Sequence, residues 1–261
     1  MADRDYKVFI VEGEAREPQI IDNISKVFFY RLNFKIITLP AGENIYMLWK
    51  KLKEDDFDTD IIEVLREDSD EISKQLAGLS RDDFSEVYLF FDYDAQQTNL
   101  GKEDDTDVVA QMLESFDNET ENGKLYISYP MVEALRDYKP DDCGDRTACF
   151  VATTAMREYK NASAARSVNP QFSKYDFVIW KDIIDVYAMR VSCLFGSAAT
   201  LEYEYYSEKV NPYEVYACEA KKTNEEGVFV LSAFPEFLID YFGKKLWKAC
   251  VKHRRNKLAG C

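Results

Sequence analysis

The first half of the chain alternates between short apolar runs and segments with apolar side chains at helical spacing. The apolar, β-branched runs predict four strands, at 7–13, 34–39, 86–94 and 124–128. The helical spacing predicts helices after Pro18, at 44–54, within 58–78, at 103–118 and from Pro130 onward. This strict alternation of strand and helix favours a parallel sheet covered by helices.

Beyond about residue 140 the strand pattern gives way to helical spacing. Helices are predicted at 146–162, 172–195, 211–222 and 228–256. The predicted fold is therefore an α/β domain with a mainly parallel four-stranded sheet flanked by helices, followed by a mostly α-helical C-terminal domain. The predicted domains are residues 1–140 and 141–261.

Composition narrows the class of protein. With 261 residues, 46% of them apolar, the chain can build hydrophobic cores for two modest domains. No apolar run approaches the roughly 20 residues that a membrane-spanning helix needs, and the start of the chain lacks a signal-peptide profile. We therefore expect a soluble, cytoplasmic protein with no membrane partner. The six cysteines contain no C-x-x-C pair, which favours buried thiols over a metal or redox motif.

Charge and histidine content limit the chemistry. His253 is the only histidine, which excludes Ser-His-Asp, Cys-His and multi-histidine zinc sites. The net charge of −15 argues against broad, passive binding to nucleic acid, but a metal ion can neutralise an acidic nuclease site locally. Within the basic C-terminal segment, Lys252, Arg254 and Arg255 are candidates for contacts with a phosphate backbone. The alternative is a helix end with complementary cations and a solvated tail.

Carboxylates stand where the predicted strands end. Glu12 closes the first strand, and Asp92 and Asp94 close the third. Ligands of open α/β sheets bind at the carboxyl ends of the strands, so these residues are expected to meet at one edge. Glu17 at the first helix and Glu133 after the fourth strand are expected at the same edge. Carboxylate oxygens are suited to a hard divalent cation, whereas the alternative interpretation is a set of solvated turn and helix-end acids.

Three motifs resemble those of a known family. The sequence VEGE at 11–14, with Glu17-Pro18 after it, resembles the first motif of Toprim domains, in the E-G-x-x-x-E-P form of OLD-family (overcoming lysogenization defect) nucleases and RloB-like proteins. The sequence FFDYD at 90–94 resembles the Toprim D-x-D motif. The stretch YISYPMVE at 126–133 resembles the strand and helix that carry a further glutamate in these anti-phage relatives. The resemblance covers roughly residues 5–138.

The resemblance implies phosphoryl transfer that depends on Mg²⁺ or Mn²⁺. Asp92 and Asp94 would bind metal, Glu12 would bind metal or act as general acid or base, and Glu17 and Glu133 would complete a second metal position. The implied function is a nuclease acting on DNA or RNA, as an effector of anti-phage defence by abortive infection. Such relatives often work with an ATPase, and because this chain has no G-x-x-x-x-G-K-[ST] motif, the ATPase would be a separate partner protein.

Two other functions fit parts of the pattern. In the first, the Toprim-like domain is a non-catalytic scaffold and the helical half binds a partner. In the second, the chain is a haloacid-dehalogenase-like phosphatase, because an apolar run followed by D-x-D also describes that nucleophile strand. The position of the motif on the third strand, and its continuation as Ala95-Gln96-Gln97, disfavour the phosphatase.

Overall fold

The computed structural model describes residues 6–54, 57–93, 107–139, 149–223 and 227–254. The described chain forms a mostly parallel five-stranded sheet, a separate two-stranded sheet and helices that flank the central sheet. The prediction of an α/β fold with a mainly parallel sheet flanked by helices is thereby confirmed.

The central sheet has the strand order β2-β1-β3-β5-β4. Its strands are β1 (Tyr6–Val11), β2 (Lys35–Pro40), β3 (Phe84–Asp92), β4 (Asp117–Asn118) and β5 (Gly123–Ser128). Strand β1 pairs in parallel with both β2 and β3, and Ile10 lies opposite Leu39 on one side and Leu89 on the other. The apolar runs that predicted these strands are buried because helices cover a parallel sheet on its faces.

The fifth strand corrects the predicted count of four. Strand β4 has two residues and pairs antiparallel with the start of β5, where Asn118 lies opposite Gly123. Two residues are too few to show the alternation of apolar and polar side chains from which strands are predicted. Gly123 has a φ of 110°, and a Cβ at this position would stand 2.6 Å from Leu89 Cδ1, so a glycine suits this close approach.

Ten α-helices are described in the ranges given above. They are α1 (Arg16–Ile24), α2 (Ile45–Glu54), α3 (Ile61–Asp68), α4 (Asp70–Gln75), α5 (Val108–Ser115), α6 (Tyr159–Arg166), α7 (Phe177–Leu194), α8 (Tyr203–Lys209), α9 (Pro212–Thr223) and α10 (Ala233–Cys250). A π-helical turn, Ser25–Phe29, extends α1, and short 3₁₀ turns occur at Arg81–Asp83, Val132–Arg136, Thr153–Glu158 and Phe172–Lys174. Part of the predicted helix 103–118, residues 103–106, lies outside the described residues.

Two of the predicted helices of the C-terminal half contain strands instead. Strand β6 (Phe150–Ala152) lies within the helix predicted at 146–162, of which residues 146–148 lie outside the described residues, and β7 (Gly227–Phe229) replaces the start of the one predicted at 228–256. The two strands pair antiparallel, and a Cβ on Gly227 would stand 2.1 Å from the Val151 carbonyl oxygen. Three-residue strands between helices give too short a pattern to be distinguished from helix in the sequence.

The helix predicted from Pro130 onward is a 3₁₀ turn, Val132–Arg136. Its backbone bonds join residues three apart, as from the Ala134 N–H to the Met131 carbonyl at 2.8 Å. The Arg136 side chain turns inward, where its guanidinium donates to the Lys160 carbonyl and the Ser163 hydroxyl. These contacts of the buried Arg136 hold the turn in place, and no pattern in the local sequence predicts them.

The chain divides into two compact units. The first comprises Met1–Phe91 and Gln97–Leu125, and the second Asp92–Gln96 and Tyr126–Cys261. The predicted boundary at 140/141 falls outside the described residues. In the first unit, α1 packs on β1 and β2, and α2 packs on α3. In the second unit, α7 packs against α10 around buried residues such as Trp180 and Phe237.

No helix in the described part of the chain has the length and apolar character needed to cross a membrane.

Candidate functional site

The turn after β1 places Glu12 in the first unit. The Glu12 N–H donates to the Phe90 carbonyl of β3 at 3.2 Å, and its own carbonyl accepts from the Gly42 N–H at 3.2 Å. The Ala41 N–H likewise donates to the Val11 carbonyl at 2.8 Å. The backbone of Glu12 is therefore held on both sides, by β3 and by the segment that follows β2. Its side chain is half-buried at the carboxyl end of the strand.

Glu17 lies in the first turn of α1, next to the same turn. Its side chain is buried, and a Cβ built on Gly13 would stand 2.7 Å from Glu17 Oε2 and 3.1 Å from Oε1. The glycine thus leaves room for the carboxylate beside the backbone that follows Glu12. The structure therefore brings Glu17 next to the Glu12–Gly13 turn.

Asp92 is the last residue of β3 and is half-buried. The next residue, Tyr93, donates its N–H to the carbonyl of Ser128, the last residue of β5, at 2.9 Å. The ends of β3 and β5 therefore lie side by side and point in the same direction. Asp94, the second acid of the D-x-D motif, lies outside the described residues.

Glu133 lies in the second unit, in the 3₁₀ turn after β5, and only 1% of it is exposed. Its neighbour Ala134 belongs to a hydrophobic cluster with residues such as Tyr159 and Val230. A carboxylate at this depth needs protein partners for its oxygens. Its burial differs from the solvated first-turn acid that was the alternative interpretation of the sequence.

A metal site is not apparent from side-chain grouping alone. Over the ranges that the structure describes, no three His, Cys, Asp or Glu side chains are grouped so that they could hold a metal ion. Asp94, one of the predicted metal ligands, lies outside these ranges.

Two of the three predicted nucleic-acid contacts have protein partners in the second unit. Arg254 forms an ion pair with Asp185 of α7, and the Lys252 N–H donates to Asp185 Oδ1 at 2.7 Å. The Lys252 ammonium lies 3.8 Å from Asp185 Oδ2 and is about half exposed. Asp185 itself is only 2% exposed. These contacts fix the C-terminal segment to α7, and Arg255 lies outside the described residues.

A buried cluster of phenols and carboxylates in the second unit was not predicted from the sequence. Glu219 of α9 and Glu236 of α10 are 0% and 3% exposed, and Glu219 Oε2 accepts a hydrogen bond from the Phe229 N–H at 3.0 Å. Burial raises the pKa of the Tyr129 phenol well above its ordinary value, and the charges of these two glutamates raise it further. Tyr129 therefore stays protonated at physiological pH. Its partners are about 90 to 110 residues away in the sequence, so no local motif could predict the cluster.

The fold defines an α/β protein with a mostly parallel five-stranded sheet, and acidic residues follow two of its adjacent strands. No protein-family model, curated protein or solved structure matches the chain.

Proposed function

We propose that this protein is a metal-dependent nuclease of the Toprim type, which cleaves phosphodiester bonds with Mg²⁺ or Mn²⁺. The supporting observation is the pairing of β1 with β3. The two strands are adjacent and parallel, and Val11 lies opposite Phe90. Glu12 therefore lies at the carboxyl end of β1, beside the last residues of the neighbouring strand β3. This is the edge of an open α/β sheet at which ligands bind.

The donor set fits a hard divalent cation. Such ions prefer carboxylate oxygens, and the Glu12 carboxylate is half-buried while that of Glu17 lies against Gly13. In the proposed site, Glu12, Asp92 and Asp94 hold the metal, and Glu17 and Glu133 contribute to a second position. The metal would supply a nucleophilic water and stabilise charge on the phosphate. Glu12 would accept the proton from that water, since carboxylates are the general bases that this chain offers there.

The substrate and the biological role follow from the resemblance alone. DNA or RNA is the proposed substrate, and abortive anti-phage defence is the proposed role, with a separate ATPase as partner. Lys252 and Arg254 are both proposed to contact the phosphate backbone. Of these two, Lys252 has the more exposed side chain, and Arg254 forms an ion pair with Asp185.

A non-catalytic module that binds a partner through a Toprim-like scaffold is the second candidate. The burial of Glu133 favours it, because a carboxylate that is 1% exposed must move before it can bind a metal that also contacts solvent-borne substrate. In this case metal binding, if present, would stabilise the fold and no phosphodiester bond would be cleaved.

A cleavage assay with matched variants tests the proposal. DNA and RNA, single- and double-stranded, are incubated with the protein and Mg²⁺ or Mn²⁺, and Glu12→Gln and Asp92→Asn are compared with the wild type. We expect each substitution to lower the rate by at least about 100-fold, the size of a lost general base or metal ligand.

Glu54→Gln is the matched control, because its carboxylate is about two-thirds exposed at the end of α2. It should cleave like the wild type when purified in the same way. Equal rates for wild type and Glu12→Gln would trace the activity to a contaminating nuclease. Metal binding with no cleavage of any of these substrates would favour the non-catalytic module.

A further inference from the structure

A cleft in the first unit combines apolar and acidic side chains. A cleft of about 150 Å³ opens beside the end of α2. Buried apolar side chains, those of Leu52, Ile61 and Phe116, line its inner part. A cavity of this size can hold a small organic molecule of five to seven heavy atoms, since an engineered cavity of about 150 Å³ binds benzene.

Aromatic rings form one wall of the cleft. Phe57 and Phe116 line it, with ring centroids 6.5 Å apart and an interplanar angle of 69°. Trp49 packs behind them, 5.1 Å from Phe57 and 6.1 Å from Phe116. The faces of such rings carry partial negative charge and attract cations. The Lys53 ammonium lies 6.0 Å from the ring centroid of Trp49, so this aromatic group already has one cation beside it.

The ring of Phe57 lies in this wall because its backbone adopts an energetically unfavourable conformation. Phe57 has a φ of 61°, and its N–H donates to the carbonyl of Leu52, in the last turn of α2, at 2.9 Å. A residue in this left-handed conformation after a helix is usually glycine, because a Cβ is disfavoured there. Contacts with Trp49 and Phe116 maintain the strained conformation. Backbone strain of this kind is concentrated at ligand-binding sites.

The rim of the cleft carries a negative charge. Asp60 is engaged by its own unit, since Oδ1 accepts from the Ile62 N–H at 2.8 Å and Oδ2 accepts from Arg81 Nε at 2.9 Å. The positive charge of Arg81 therefore offsets that of Asp60. Asp58 lies on the rim with an exposed side chain, and it adds a carboxylate to the oxygens of Thr59 and Asn122. An anion would be repelled here, whereas a cation would be attracted.

We propose that this cleft binds a small alkylammonium ion. The alkyl groups would lie against the partly exposed ring of Phe57, and the positive charge would lie near Asp58. Aromatic walls with an adjacent carboxylate are suited to quaternary ammonium groups, whose charge is spread over methyl groups that lose little hydration on binding. The cleft is formed by the first unit alone, so the proposal is independent of any activity at Glu12 and Asp92.

Comparing the binding of choline with that of its uncharged isostere, 3,3-dimethylbutan-1-ol, distinguishes the contribution of the charge from that of the shape. Ligand-observed NMR titrations at fixed ionic strength should show saturable binding of choline, and weaker binding of the isostere. Asp58→Asn and Phe57→Leu should each weaken choline binding about three- to ten-fold, the range of a single cation–π or partly screened charge contribution. Phe57→Leu keeps an apolar side chain but removes the aromatic face.

Asp22→Asn is the matched control, because it removes an exposed carboxylate from α1 and leaves the cleft unchanged. It should bind choline as the wild type does. A peptide carrying trimethyllysine forms a further arm, and binding of the peptide alone would assign the ammonium to a partner protein. Absence of saturable binding in both arms would overturn the proposal. So would equal binding of choline and its isostere, or equal effects of Asp58→Asn and Asp22→Asn.

Discussion

Two carboxylates, one in each unit, lie in opposite surroundings. In the first unit, Glu12 follows a strand, is half-buried, and is held by its backbone. In the second unit, Asp185 is almost fully buried and is held by its side chain, which pairs with Arg254. The hydrogen bonds that hold the backbone of Glu12 do not depend on its carboxylate. The paired oxygens of Asp185 are needed for the stability of the fold, because removing a partner from a buried ion pair leaves a charge uncompensated.

The largest expected effect comes from Asp185→Ala. It removes the buried partner of Arg254 and the acceptor of the Lys252 N–H. We expect the free energy of unfolding to fall by about 3 kcal/mol, the low end for breaking a buried pair, because Arg254 is about one-fifth exposed. Urea denaturation measures this change. The control Glu208→Ala removes an exposed acid paired with Lys209 and should cost less than about 0.5 kcal/mol. Equal losses for the two variants would show that the buried Asp185–Arg254 pair stabilises the fold no more than an exposed pair does.

Gly13→Ala should have an intermediate effect. The new Cβ would stand 2.7 Å from Glu17 Oε2, so the carboxylate must move from its buried position. Since Glu17 is a flexible side chain, we expect a loss of about 1 kcal/mol, at the low end for overpacking. Thermal or urea denaturation would measure it, with Gly13→Ala/Glu17→Ala as the control that removes the clash. If the double variant were no more stable than Gly13→Ala, contact with the carboxylate would not be the cause.

The smallest expected effect on stability is that of Glu12→Gln. Its backbone hydrogen bonds to Phe90 and Gly42 do not involve the side chain, which is half-buried. We expect the free energy of unfolding to change by less than about 0.5 kcal/mol, because Glu12→Gln keeps the size of the side chain and leaves these backbone bonds in place. A loss above about 2 kcal/mol in urea would place Glu12 with Asp185 among the acids that hold the fold. Retained stability would allow a loss of cleavage to be attributed to chemistry.

The sequence predicted those elements whose pattern is long enough to be distinctive. Strands β1 and β3, of six and nine residues, follow from the apolar runs within them, and α2 follows from its helical spacing. Strands β4, β6 and β7 have two or three residues each and were missed for that reason. These strands form because they pair with neighbouring strands, and no pattern in their own residues indicates them.

The candidate site was predicted in part, for a related reason. Glu12 and Asp92 could be placed because strand ends are visible in the sequence, and Glu17 because it is five residues from Glu12. The depth of Glu133 could not be predicted, since it depends on packing with segments far along the chain. The pairing of Asp185 with Arg254 joins residues 69 apart, and no local pattern encodes it.

The end of β5 bears on how the chain folds as it is synthesised. Tyr126 donates its hydroxyl hydrogen bond to Asp240, 114 residues later, and Ser128 Oγ accepts from the N–H of Ala233, 105 residues later. At ribosomal rates of about 5–20 residues per second, these partners emerge roughly 5 to 25 seconds after β5. During that interval the polar groups of Tyr126 and Ser128 must be satisfied by water or by other proteins. A nascent chain halted before α10 should therefore depend on chaperones more than the finished protein does.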